Sequence, residues 1–240
     1  DEILGGGLPE YSFNLIVGTP GSGKTTMAHQ IMFGLASTRR LALYFTVLGE
    51  PPLKMLRYQQ QMAFFDPAKV GNDIRFHDLS DVVLEHNLTT VLERIVQHVE
   101  EAEPGLVFVD SFQTVVRAAS DMDRGGIDLQ GFVQRLAVHL TTWQATTFLI
   151  GEDAGDSLRG NPLFTVADGI VALSQQADRN SVVRKLQVMK SRGQSPMPGV
   201  HTFRITHEGV QVFPRMSMTN REPDRHRPTG RVLTGVAGLD

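Results

Sequence analysis

The stretch GTPGSGKT, Gly18 to Thr25, spaces its glycines, lysine and threonine as G-x-x-x-x-G-K-[ST]. Such glycines let backbone N–H groups turn inward around phosphate oxygens, and a helix opening directly behind them adds the positive end of its dipole. Lys24 is expected on the β and γ oxygens of a nucleotide and Thr25 on a Mg2+ ion, within a cradle of Gly18, Thr19, Pro20, Gly21, Ser22, Gly23, Lys24, Thr25 and Thr26. The competing reading is a glycine-rich turn with an accidental lysine, and the apolar run FNLIV before the motif argues against it.

A metal site also needs a carboxylate. LVFVDS, residues 106–111, is an apolar run ending in Asp110, the Walker B form, where an Asp can hold water of the Mg2+ shell. Strands also end on acids that merely cap or face solvent, so Asp110 draws its weight from the phosphate motif upstream. The general base is expected at Glu50, which follows LALYFTV and precedes Pro51 and Pro52. An acidic residue at a helix start is also favoured by the dipole alone. Glu152, after TTFLIG, is the rival base, and Asp153 reads as a loop acid.

Positioning these groups requires a sheet. Short apolar runs predict strands over 13–17, 41–46, 74–77, 106–110 and 146–151. Helical spacing predicts covering helices: Leu88, Val91, Leu92, Ile95, Val96 and Val99 form one stripe, and Leu129, Phe132, Val133, Leu136 and Leu140 another. The helix behind the cradle is expected to bury Ala28, Ile31, Met32 and Leu35. From Gly169 strands follow in quick succession, over 170–173, 182–189, 201–205 and 210–213, with His207, Glu208 and Gly209 as a tight turn. The fold class is therefore α/β: a mainly parallel twisted sheet flanked by helices, finished by a C-terminal antiparallel extension.

Composition narrows the partners. The 240 residues suit one large core, and 23 Lys and Arg against 26 Asp and Glu give a net charge of −3, which draws no polyanion. The segment after Asp110 sets Arg117 and Arg124 against Asp121, Asp123 and Asp128, a poor track for nucleic acid. There are no cysteines, which removes thiolate chemistry and disulfides. No run approaches the roughly 18 apolar residues of a membrane span, so the expectation is a soluble, cytoplasmic chain with no membrane partner. Residues 219–231, TNREPDRHRPTGR, read as a linker.

The cradle, the strand ending near Glu50, LVFVDS and VMKSRGQSPMPGVHTFRITHEGVQVFP (188–214) together resemble the KaiC-like branch of the RecA-superfamily P-loop ATPases. The resemblance implies a RecA-like fold, bound ATP with Mg2+, and a hexameric ring of identical chains with ATP between subunits. It implies further that Lys190 and Arg192 reach the phosphates of a neighbour; otherwise they are solvated cations at a strand end. Ser195 is a further candidate contact to nucleotide. The chain departs from the family where adjacent glutamates would follow Thr46: it has Leu48 and Gly49, then a single Glu50. It also carries Pro196 where a histidine can follow the K-x-R-G-x-S block. In this family a unit opens T-G-x-x-G-L-D-E-x-L-G-G-G-L-P, and TGVAGLD at 234–240 joins DEILGGGLP at 1–9 across a shared Asp to complete it. The expectation is an ATPase unit over 1–218, a linker over 219–231 and the start of a second KaiC-like domain over 232–240. Function is expected to be ATP hydrolysis in a signalling or circadian-type protein whose signalling partners the sequence does not name. The alternatives are a RecA-like DNA recombination or repair ATPase and a Ser/Thr autokinase, with Ser217 and Thr219 as available hydroxyls.

Overall fold

FNLIVG forms strand β1 (Phe13–Gly18), and all six residues are buried. A strand covered on both faces reads as a continuous apolar run, which is why alternation is absent here. In the computed structural model, which describes residues 2–47, 52–84, 88–112, 129–152, 162–178 and 181–215, β1 lies near the middle of a nine-stranded sheet. The strands follow as β2 (Ala42–Thr46), β3 (Ile74–Asp78), β4 (Leu106–Asp110), β5 (Thr146–Glu152), β6 (Gly169–Asp178), β7 (Ser181–Ser191), β8 (Val200–Thr206) and β9 (Gly209–Phe213). Their spatial order is β3-β2-β4-β5-β1-β6-β7-β8-β9. Strands β1 to β6 pair in parallel, and β7 to β9 turn antiparallel. The predicted strands are all present, most of them a residue or more longer than the apolar run.

The helices are α1 (Lys24–Leu35), α2 (Pro52–Gln59), α3 (Ser80–Leu84), α4 (Leu88–Ala102), α5 (Leu129–Thr142) and α6 (Pro162–Val166). On one face of the sheet α4 packs Val91, Leu92, Ile95 and Val99, and α5 packs Phe132 and Leu136, against Leu43, Phe45, Val107, Val109 and Leu149. On the other face α1 packs against Ile16, Tyr44, Phe108, Phe148 and Ile150. Each such side chain taken fully from water contributes about 1.5–3 kcal/mol. The buried stripe of α1 is Ala28, His29, Met32 and Phe33, whereas Leu35 stays 44% exposed, so the expected stripe is rotated by a residue. The rotation carries Met27, Ile31 and Leu35 toward a cavity of about 1010 Å³, walled on its other side by Ile3, Leu4 and Leu8.

The antiparallel extension folds against α1. Gln30 on that helix accepts from Val210 N (2.6 Å) and donates to Val210 O (3.4 Å). The β8–β9 turn is the tight one expected, with Gly209 at φ 95°. No helix among the described residues is long and apolar enough to cross a membrane.

Candidate nucleotide site

The glycines act by leaving space. A Cβ on Gly18 would lie 2.0 Å from Leu173 O on β6, and one on Gly23 would lie 2.5 Å from Ile205 Cδ1 on β8. Gly23 also takes a left-handed φ of 102° at the α1 N-cap, where no side chain caps the helix. With no acidic residue in its first turn, α1 leaves its amino-terminal N–H groups to an anion. The buried Ser22 Oγ has no hydrogen-bond partner, a further donor that a phosphate would answer. Gln175 on β6 donates to Pro20 O at 3.1 Å and steadies the loop tip.

Lys24 Nζ donates to Gly18 O and Thr19 O, both at 2.9 Å, so the ammonium rests at the mouth of the cradle. Burial lowers its pKa, while the carboxylates of Glu152 and Asp110 pull the other way. Thr25 Oγ1 donates to Asp110 Oδ2 at 2.7 Å, and Tyr44 OH donates to the same oxygen at 2.8 Å. Burial raises the Asp110 pKa, against the two hydroxyl donors and Lys24. The Tyr44 phenol is pushed well above its ordinary value by burial and by the Asp110 charge.

These groups fit a triphosphate with a divalent cation. Thr25 spends its one proton on Asp110 and keeps its lone pairs for a metal, and the carboxylate stands directly behind it. The strand that carries Asp110 is not the neighbour of β1: β5 lies between β1 and β4. Contact is made from above, through the first turn of α1. The same insertion puts Glu152, the last residue of β5, in register with Gly18. Glu50 lies outside the described residues, as do the 113–128 segment, Asp153, Ser217, Thr219, the 219–231 linker and residues 232–240.

Lys190 and Arg192 sit elsewhere. Because β7 runs antiparallel to β6, Ser191 pairs with Gly169 while Gly18 pairs with Leu173. The two cations therefore occupy the sheet edge opposite the cradle. Lys190 Nζ donates to the carbonyls of Phe164 (3.0 Å) and Thr165 (3.1 Å). Arg192 donates to Asp168 Oδ1 and Thr165 O, each at 3.2 Å. Partial burial and the adjacent Arg192 lower the Lys190 pKa, with Asp168 opposing them. Within one chain they stand away from residues 18–26. Ser195 packs its backbone against Gly5, where a Cβ would meet Ser195 O at 2.5 Å. Tyr44 and Gln175 carry no motif and are missed by sequence reasoning; a tyrosine inside an apolar strand, ALYFT, is the one available hint.

The family model described as "ATPase: KaiC" matches residues 1–217. The Circadian clock oscillator protein KaiC 1 of Synechocystis sp. is 28% identical over the whole chain, which spans 47% of that relative. Circadian clock oscillator protein KaiC of Synechococcus elongatus gives the same 28% and 47%. DNA repair protein RadA of Mycobacterium tuberculosis is 27% identical over 80% of the chain and 37% of its own length. The chain thus spans about half the length of the circadian-clock relatives it matches.

Proposed function

The chain belongs to the KaiC family of ATPases, and from that premise we propose that it hydrolyses ATP in a hexameric ring, with each nucleotide held between two copies. The observation that carries this reading is the 2.7 Å contact of Thr25 with Asp110 beside Lys24 at the mouth of the cradle. Residues 18–26 bind the triphosphate, and Lys24 leaves its carbonyl partners for the β and γ oxygens. Thr25 and Asp110 would hold Mg2+, which when bound neutralises charge developing on the phosphoryl oxygens. Glu50 orients a water and takes its proton as the new P–O bond forms and the bond from the γ phosphorus to the β–γ bridging oxygen breaks. Glu152, in register with Gly18, is the rival for that task.

Lys190 and Arg192 act on the phosphates of the adjacent copy, which accounts for their place on the edge away from their own cradle. Residues 1–218 form the unit, 219–231 link it onward, and 232–240 begin a second KaiC-like domain that, with other signalling proteins, would read the ring's rearrangement.

Mass measurement of the native assembly with and without ATP tests the ring: six chains with nucleotide are expected, and a monomer with bound ATP would overturn it. Glu50→Gln should bind ATP and lose turnover; unchanged turnover assigns the base elsewhere, with Glu152 next. Protein-bound phosphate after incubation with labelled ATP would instead mark an autokinase. The likeness to RadA supports a second reading, a DNA repair ATPase. Salt-dependent binding to single-stranded DNA would favour it, and no binding at low salt would remove it.

A further inference from the structure

We propose that Tyr44 is a positioning residue for the cation site, holding the Asp110 carboxylate so that one oxygen is tied down and the other is left to the metal's water shell. The proposal rests on the reading that Thr25 and Asp110 hold Mg2+, and it adds a residue that no motif marks.

Tyr44 sits at the centre of β2 and is fully buried. Its ring lies 5.8 Å from Phe108 in a stacked pair and 4.7 Å from His29 edge-on. A ring so enclosed has no room to swing, which fixes where its hydroxyl points. Packing alone would be served by phenylalanine, the residue present at Phe108 and Phe148 in the neighbouring strands. The hydroxyl costs free energy to bury unless it is bonded, and the partner it finds is Asp110 Oδ2 at 2.8 Å. A hydrogen bond to a carboxylate is among the stronger kinds.

The geometry separates the two carboxylate oxygens. Oδ2 receives both Tyr44 OH and Thr25 Oγ1, and no hydrogen bond reaches Oδ1 from the described residues. Two donors from different elements, β2 and α1, fix the rotation about the Asp110 Cβ–Cγ bond. With Thr25 as the sole donor, the carboxylate could turn and still satisfy that one bond. Tyr44 thereby presets a geometry the cation would otherwise have to impose, and affinity for the cation gains what preorganisation saves.

The test is Tyr44→Phe, which keeps the ring and removes the hydroxyl. Affinity for Mn2+ is measured by its electron paramagnetic resonance signal in the presence of ADP, and affinity for ADP is measured separately in EDTA. Mn2+ affinity should fall about tenfold, the scale of a lost hydrogen bond to a charged group, with ADP affinity in EDTA unchanged. Phe108→Leu, which disturbs the same packing and spares the hydroxyl, should lower the melting temperature and leave Mn2+ affinity intact. An equal fall in both variants, or none in Tyr44→Phe, overturns the proposal.

A spectroscopic readout needs no variant. The chain has three tyrosines, and Tyr11 and Tyr58 are about half exposed, so 3-fluorotyrosine labelling gives one buried resonance against two exposed ones. That resonance should shift when Mg2+ is added to the ADP complex while the other two hold still; a stationary buried resonance also overturns the proposal. If the wild-type chain binds no divalent cation with nucleotide, the reading of Thr25 and Asp110 fails first, and that result is distinct from a wild-type chain and a Tyr44→Phe chain that bind it equally.

Discussion

The two edges of one sheet hold their cations differently. At the carboxyl ends of the parallel strands, Lys24 lies half buried among groups that converge on one point, with Asp110 and Glu152 both acting on it. At the opposite edge, Lys190 and Arg192 hold on to the carbonyls closing α6 and to Asp168, and the Arg192 side chain remains 58% exposed. The first region has its donors, its carboxylate and its glycine loop in one chain. The second has charge and reach but, among the described residues, only carbonyls and Asp168 beside it, and the antiparallel course of β7 places it there. On the proposed reading a neighbouring copy unites the two.

Lys24→Ala should break the first region most deeply, with turnover falling about 10³-fold, the range for removing a preorganised group on the reacting charge. Steady-state hydrolysis checks this. Arg192→Ala should lower turnover about 10²-fold while ATP binding to the cradle changes little. Loss of its exposed pair with Asp168 should cost under about 1 kcal/mol of stability. The comparison sharpens when the two inactive chains are mixed: Arg192→Ala supplies a sound cradle and Lys24→Ala a sound cation. Activity should reappear in the mixture, and a mixture as inert as its components refutes the division of labour.

Two buried groups, His29 and Asp110, respond to acid in opposite senses. His29 lies fully buried on α1, and burial lowers its pKa to about 3 against a smaller opposing effect of the Gln59 side chain. The fold binds this proton more weakly than the unfolded chain does, so stability is lost as pH falls below the ordinary histidine value. His29→Met should remove a slope of about 1.4 kcal/mol per pH unit between about pH 6 and pH 4, read from urea unfolding at each pH. Asp110 runs the other way. Its raised pKa means the folded chain holds the proton more tightly, so its cost is absent below the unfolded value and grows as pH rises through the folded one. Without nucleotide, Asp110→Asn should therefore melt modestly higher than wild type near neutral pH and no higher in acid.

Much of this was legible in the residues themselves. FNLIVG, LVFVD and TTFLIGE are apolar because their strands are covered on both faces, and a run of that kind reads the same in sequence as in space. The cradle was legible because its chemistry depends on local spacing. What depends on pairing was not: no local pattern says that β5 enters between β1 and β4, and that insertion sets Glu152 against Gly18. The separation of Lys190 from Lys24 likewise follows from a strand reversal, visible only once the register is known. The stripe of α1 came out rotated because His29, polar by type, is buried and Leu35, apolar by type, is not.

Gln30 carries one more implication. A primary amide sets a carbonyl acceptor beside N–H donors, so at Val210 this side chain takes the place of the next strand on the outer border of β9. The Val210 amide exchanges its hydrogen with solvent when the Gln30 side chain swings away or α1 lifts from the hairpin. Its exchange rate is thus a built-in gauge of how firmly α1 and its Gln30 are seated on the hairpin, and nucleotide should slow it.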